Sequence, residues 1–211
     1  MDWKEEDTKI LLEEMGRMYP APECALEFGS LFQLLIAVIL SAQTTDKQVN
    51  VVTKDLFRIY PDAASLAEAD PSEVEQVIRR IGMYKTKAKN IIAAARMLIE
   101  EYGGEVPRDF DRLVKLPGVG RKTANVVLAV GCGVPAIPVD THVFRVSNRI
   151  GIVSEKDVLK TELALMEALP EETWINMHHA LIWHGRRVCK ARKPDCDACP
   201  IADICRYANG E

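Results

Sequence analysis

The sequence predicts an all-α fold, and three observations carry that prediction. Apolar residues recur at i, i+3, i+4 spacing through most of the chain, as in Ile91, Ala94, Ala95 and Leu98. No stretch shows the period-two alternation of a half-buried strand. Breakers such as Pro61, Pro71 and Gly103-Gly104 stand between the periodic runs, where helices must end. Taken in order, the signals give helices over roughly 3–18, 30–42, 46–59, 71–81, 85–101, 109–115, 121–131, 141–150, 155–168 and 171–186. The second contains the longest apolar run, Leu31 to Leu40, broken only by Gln33, and reads as a buried core helix. Pro61 and Pro71 separate the third from the fourth, and Gly103-Gly104 closes the fifth. Pro117 stops the sixth, the seventh begins at once after Gly120, and Asp140 is placed to N-cap the eighth.

Composition narrows the class. At 48% hydrophobic and 27% charged, the chain is ordinary for a globular protein and, at 211 residues, long enough for one large core or two modest domains. Its longest apolar run is far shorter than the roughly 20 residues that span a bilayer, so no membrane attachment is expected. The start, Met1-Asp2-Trp3-Lys4-Glu5-Glu6-Asp7, lacks a basic n-region and a cleavage site, which points to the cytoplasm, and to the nucleoid if the source is prokaryotic. Six cysteines in a reducing compartment suggest metal or redox chemistry before disulfides.

The formal net charge of −4 argues, taken alone, against a phosphate-rich partner. Its distribution argues the other way. Residues 1 to 30 hold eight acids against three basic residues, whereas 108 to 149 hold seven basic against three acidic and 185 to 206 hold six against three. The chain is polarised, with two basic segments.

Three constellations carry chemistry. In Leu116-Pro117-Gly118-Val119-Gly120, two glycines spaced by one apolar residue permit positive φ and let a foreign backbone approach. The unpaired N–H groups of the helix that follows suit a phosphate oxygen. An ordinary tight connection between antiparallel helices reads equally well. A nucleotide P-loop is not matched, because Arg121 stands between Gly120 and Lys122. The segment Ile81-Gly82-Met83-Tyr84-Lys85-Thr86-Lys87-Ala88 echoes this turn, a likeness that coincidence explains equally well. Lys122, in the first turn of its helix, faces the positive end of the macrodipole, where an ammonium is disfavoured; with burial added, the free amine becomes a nucleophile. A solvated phosphate contact is the plainer role for such a lysine. Asp140, in Pro138-Val139-Asp140-Thr141-His142, reads as a cap, and a carboxylate held by backbone N–H groups also suits a developing sugar cation.

The third constellation is Cys189, Cys196, Cys199 and Cys205, spaced C-x6-C-x2-C-x5-C. Four thiolates so close together specify an S4 site for either Zn²⁺ or a [4Fe–4S] cluster. Only Cys196/Cys199 forms the short pair usual for zinc, which favours iron–sulfur. Lys190, Arg192 and Lys193 fall in the first loop of the set and offer it to phosphates. Cys24 and Cys132 fall outside the pattern and read as core thiols, and His178, His179 and His184 as structural residues.

Leu116 to Thr123, followed by Val139-Asp140-Thr141-His142, the earlier Leu40-Ser41-Ala42-Gln43-Thr44-Thr45-Asp46 and the cysteine spacing together resemble the endonuclease III family, the iron–sulfur branch of the helix-hairpin-helix DNA glycosylases. The resemblance covers essentially the whole chain. It implies two all-α domains flanking a DNA-binding cleft: residues 24–134 as a six-helix barrel containing the hairpin (about 109–131), and 1–23 with 135–211 as the iron–sulfur domain. It implies a [4Fe–4S] cluster and a monomer acting on double-stranded DNA that contains damaged bases or abasic sites. Lys122 would attack C1′ of a nucleotide flipped from the duplex, and Asp140 would stabilise the oxocarbenium-like charge and help deprotonate the amine. Leu116, Gly118, Val119, Gly120, Arg121 and Thr123 would contact DNA, His142 would lie near the flipped nucleotide, and Gln43 and Met83 would fill the gap it leaves. For Gln43 a helix-end cap is an equal contender, and for Met83 a core position is the commoner fate.

Three other readings stand beside this one. The adenine-specific mismatch branch shares hairpin, aspartate and cluster, but lacks the lysine and carries an added C-terminal domain, whereas six residues follow Cys205 here. A thymine-mismatch glycosylase fits the same fold. A non-catalytic, zinc-stapled DNA-binding module fits the cysteines and the basic segments, though not the lysine–aspartate pair.

Overall fold

The computed structural model describes residues 3–210; positions 1, 2 and 211, which fall in the expected 1–23 and 135–211 segments, lie outside the described residues. Eleven α-helices are described: α1 (Glu5–Met18), α2 (Leu31–Leu40), α3 (Asp46–Ile59), α4 (Ala63–Ala67), α5 (Pro71–Ile78), α6 (Tyr84–Tyr102), α7 (Phe110–Leu113), α8 (Arg121–Val126), α9 (Thr141–Ile150), α10 (Val158–Ala168) and α11 (Trp174–Arg187). Among the described residues there is no strand, and no helix is long and apolar enough to cross a membrane. The chain divides into two compact units, Cys24–Val134 and Met1–Glu23 with Pro135–Glu211.

In the first unit α2 is the core helix. Ser30 caps it, its hydroxyl accepting from the Gln33 N–H at 3.2 Å, and Leu34 to Leu40 are all buried. A helix apolar on every side must be wrapped, and α3, α6 and α8 supply the wrapping. Several surrounding helices start where a side chain takes up an orphan N–H group, though α6 and α8 begin without one. Thr45 accepts from Gln48 N–H at the head of α3, Asp62 from Ser65 N–H at α4, and Asp109 from Arg112 N–H at α7. At α5, Asp70 accepts from Ser72 N–H, and Pro71 occupies the first turn. The long α6 ends at left-handed Gly103 (φ 62°), where the Gly104 N–H reaches back to the Leu98 carbonyl at 2.8 Å.

The second unit packs α1, α9, α10 and α11 around Leu11, Met15, Val143, Val146, Ile150, Leu165 and Leu181. The α9–α11 pair approaches closely because residue 185 is glycine. A Cβ there would lie 3.0 Å from both Arg145 Nη2 and His142 Nδ1.

Several boundaries differ from the sequence expectation. The expected 155–168 helix starts only at Val158, because Asp157 turns out to be its cap, accepting from Lys160 N–H at 2.9 Å. The expected 171–186 helix opens with a 3₁₀ turn, Glu171–Thr173, before α11. The expected 121–131 helix is α8 followed by a π-helical turn, Val127–Gly131. The 30–42 and 71–81 helices end early, at Leu40 and Ile78, and the residues beyond form turns. Helix α4 was not expected at all: five residues are too few for a periodic signal.

Candidate functional site

The turn from Val114 to Gly120 joins α7 to α8 and is held by its own backbone, with Leu116 N–H donating to Leu113 and Val119 N–H to Leu116. Leu116 and Val119 are buried, so their side chains serve the core and only their backbone is offered outward. Gly118 takes φ 81°, and a Cβ there would sit 3.0 Å from Asn90 Cβ and 3.1 Å from Ile39 Cγ2. Gly120 is extended, exposed and open, with nothing within 4 Å of where a Cβ would be. Arg121 lies with its guanidinium 5.1 Å over the Phe110 ring, and Thr123 is half-buried. Lys122 is exposed. It stands in the first turn of α8, one residue after Arg121 and two after the N-cap Gly120.

Gln43 and Met83 show a feature that sequence reading did not anticipate. Three non-glycine residues among those described adopt positive φ: Gln43 (55°), Met83 (56°) and Lys193 (52°). All three are among the expected DNA contacts. Left-handed backbone is disfavoured for residues with a Cβ and persists where the surroundings over-determine it, a pattern that clusters at functional sites. Met83 is 54% exposed, so it is not the core methionine its residue type favoured. The Gln43 loop is gripped by Lys87, a buried residue that sequence reading passed over and that stands in the first turn of the helix Met83 caps. Its ammonium donates to the carbonyls of Leu40 (2.8 Å) and Ala42 (2.6 Å) and to Thr44 Oγ1 (3.0 Å). The signal was present: Lys87 shares the apolar face of Tyr84, Ala88 and Ile91 at i, i+3, i+4, i+7 spacing, where a lysine must find internal partners.

In the second unit Asp140 is the cap of α9, its Oδ1 accepting from the N–H groups of His142 and Val143, both at 2.8 Å. His142 is half-buried, and burial holds its pKa below the ordinary value, against the opposing pull of Asp140. Arg145 ties this helix start to the cysteine loop. Its Nη2 donates to the carbonyls of Gly185 (2.9 Å) and Cys189 (3.1 Å) and stands 3.3 Å from His142 Nδ1.

All four expected cysteines line one small pocket, together with His184, Pro194, Ile201 and Tyr207. Among the described residues no three His, Cys, Asp or Glu side chains converge at single-ion distance. Four thiols around a shared space fit a group held by one thiolate each, the donor set of a [4Fe–4S] cluster and equally of a tetrahedral zinc. Burial pushes the Cys199 and Cys205 thiols up, a cost that bound cationic iron reverses. His184, pushed down to about 4 by burial, is neutral; it stands 3.7 Å from Cys199 Sγ through Nε2 and 3.3 Å from the Tyr19 hydroxyl through Nδ1. Arg149 donates to Cys189 Sγ at 3.7 Å and holds the loop by the carbonyls of Lys190 (2.7 Å) and Ala191 (3.0 Å). Lys190, Arg192 and Lys193 are exposed on that loop, while Cys24 and Cys132 pack at the edge of the first unit's core.

This fold and these sites define a class, the helix-hairpin-helix proteins of DNA repair. Residues 36–171 match the model of the HhH-GPD superfamily of base excision DNA repair proteins, and residues 189–205 match the iron–sulfur binding domain of endonuclease III. Endonuclease III of Bacillus subtilis is 54% identical over 199 residues, 94% of this chain and 91% of that protein. A trapped endonuclease III–DNA covalent intermediate superposes with a TM-score of 0.93 at 49% identity, covering 98% of each chain. A thermostable thymine-DNA glycosylase gives 0.85 at 25% identity, covering 97% of each. The chain belongs to the endonuclease III family, and its four-cysteine loop carries a [4Fe–4S] cluster.

Proposed function

We propose that the chain is a bifunctional DNA glycosylase/AP lyase that removes oxidised or ring-damaged pyrimidines from duplex DNA and nicks the strand by β-elimination. One observation carries this reading: an exposed lysine opens the helix after the hairpin, in a chain matched over 98% of its length by a relative trapped in a covalent bond with DNA. In this mechanism the Lys122 amine attacks C1′ of the damaged nucleotide, the N–C1′ bond forms, and the glycosidic bond breaks with its electron pair leaving on the base. The amine loses its proton and the sugar ring opens to an iminium. Loss of a C2′ proton then expels the 3′ phosphate. Duplex DNA lying over the exposed amine would exclude water from the reacting centre.

Asp140 has a different task. Its carboxylate, held by two backbone N–H groups, stabilises the positive charge developing on the sugar and assists deprotonation of the amine. The backbone around Gly118 and Gly120, with Arg121 and Thr123, contacts phosphates, as does the Lys190–Arg192–Lys193 loop. His142 lies beside the flipped nucleotide, and Gln43 and Met83 fill the space it vacates. Cys189, Cys196, Cys199 and Cys205 would hold the cluster, whose irons would cross-link the C-terminal loop through their thiolates. The protein acts as a monomer, in the cytoplasm.

Lys122→Gln is expected to abolish both base excision and the borohydride-trapped complex while leaving binding to a lesion duplex within about threefold of wild type. Asp140→Asn should cripple excision yet still trap weakly on a pre-formed abasic site, where no glycosidic bond has to break. Trapping by Lys122→Gln at the wild-type rate would show that another amine is the nucleophile. A second reading, excision of thymine from G·T mismatches, draws support from the thymine-DNA glycosylase likeness. Nicking assays on thymine glycol, abasic and G·T duplexes separate the two.

A further inference from the structure

Lys87 is 4% exposed, and none of the three oxygens its ammonium holds belongs to a carboxylate. Capping the C-terminus of α2 accounts for the bond to Leu40 alone. The other two bonds go to Ala42 and Thr44, the residues on either side of left-handed Gln43. Lys87 stands in the first turn of α6, the helix whose N-cap is left-handed Met83, and its backbone N–H makes the ordinary i→i−4 helix bond to the Met83 carbonyl at 3.0 Å. The ammonium thus ties the neighbours of one proposed gap-filling side chain to the first turn of the helix that the other caps. Only an ammonium donates three hydrogen bonds from a single point, and that is what gripping three oxygens of one loop requires. Burial also holds its pKa below the ordinary lysine value, so the position is kept against a desolvation cost.

We infer that Lys87 is a positioning residue for base extrusion: it locks the Gln43 and Met83 loops in register with each other, so that both side chains enter the duplex together when the damaged nucleotide leaves the stack. The inference rests on the gap-filling role proposed for Gln43 and Met83. Side chains held in advance lose less freedom on entering DNA, and a misplacement of about 1 Å at such a site costs up to a hundredfold. The demand falls on intact damaged nucleotides, which must be unstacked, and far less on abasic sites, which have no base to extract.

The test uses cluster-loaded protein, single-turnover excision of thymine glycol, nicking of a pre-formed abasic site, and the fluorescence of 2-aminopurine placed opposite a tetrahydrofuran abasic analogue. Lys87→Met is expected to slow excision by about tenfold or more, to leave abasic-site nicking within about threefold, and to weaken the 2-aminopurine response. In a Gln43→Ala background the excision effect should be clearly smaller, since part of it acts through that side chain. Equal losses on the two substrates, full additivity with Gln43→Ala, or unchanged excision would each overturn the inference. If Lys87→Met does not fold, Thr44→Val removes one of the three bonds and should produce a smaller loss confined to excision; no such selective loss overturns it equally. Gln43→Ala and Met83→Ala by themselves keep the two levels apart. If both match wild type, the gap-filling role fails and the inference with it; if they are impaired while Lys87→Met is not, only the role of Lys87 fails.

Discussion

Gly118 and Gly120 stand two residues apart, and what a methyl group would meet at each is different. At Gly118 the backbone is left-handed and an added Cβ presses on Asn90 and Ile39; at Gly120 it is extended and the space is open. Gly118→Ala is therefore expected to destabilise the fold by about 1–3 kcal/mol, seen as a lowered unfolding midpoint. Gly120→Ala should keep that midpoint and weaken duplex binding severalfold, because its methyl group occupies the space proposed for a phosphate. Duplex affinity unchanged in Gly120→Ala would remove the phosphate from that turn. Both glycines were legible in the sequence as a turn that a foreign backbone could approach. Their division of labour was not, since the sign of φ is set by how the turn packs against α2 and α6 and leaves no mark in composition. Lys87 shows the complementary gap. Its place on an apolar face was visible, but the carbonyls it grips lie more than forty residues away in sequence.

Helices reveal themselves in sequence by period and by cap, and the two signals failed in different places. The long α6 was placed by its apolar stripe, whereas α4 has too few residues for a stripe and was marked only by its cap pair, Asp62 and Ser65. The switch from α to π geometry at Val127 was invisible, because five consecutive apolar or small residues fit either period. Caps also separate structure from chemistry at Asp140. Asparagine caps a helix about as well as aspartate, while alanine does not. Asp140→Asn should therefore leave the unfolding midpoint nearly unchanged although it removes excision, whereas Asp140→Ala should remove excision and also cost about 1 kcal/mol of stability. A midpoint in Asp140→Asn as low as in Asp140→Ala would mean that the negative charge, rather than the cap bonds, holds α9 in place.

At the scale of the whole molecule, a net charge of −4 conceals basic segments, and the structure gives one of them a definite support. The loop bearing Lys190, Arg192 and Lys193 has few apolar side chains of its own. It is held by Arg149 through two carbonyls and by the cysteines that line the adjoining cavity. The cysteine spacing made the cluster legible in the sequence; the Arg149 and Arg145 bonds to the same loop were not, because they join residues about forty positions apart. If the cluster organises this loop for phosphate binding, its loss should act on DNA affinity as deletion of the charges does. Cys199→Ser is expected to lose iron and the broad absorbance at ~400 nm, with a lowered unfolding midpoint. Its log affinity for an undamaged duplex should also become less steep in log salt, by about 0.9 for each phosphate that the loop ceases to neutralise and so by up to about 3. Substituting Lys190, Arg192 and Lys193 by alanine in cluster-loaded protein should give a similar flattening without loss of iron. Arg149 alone would be enough to hold the loop if Cys199→Ser, freed of iron, kept the wild-type salt slope while the alanine variant did not; the cluster's part in DNA binding would then fall away.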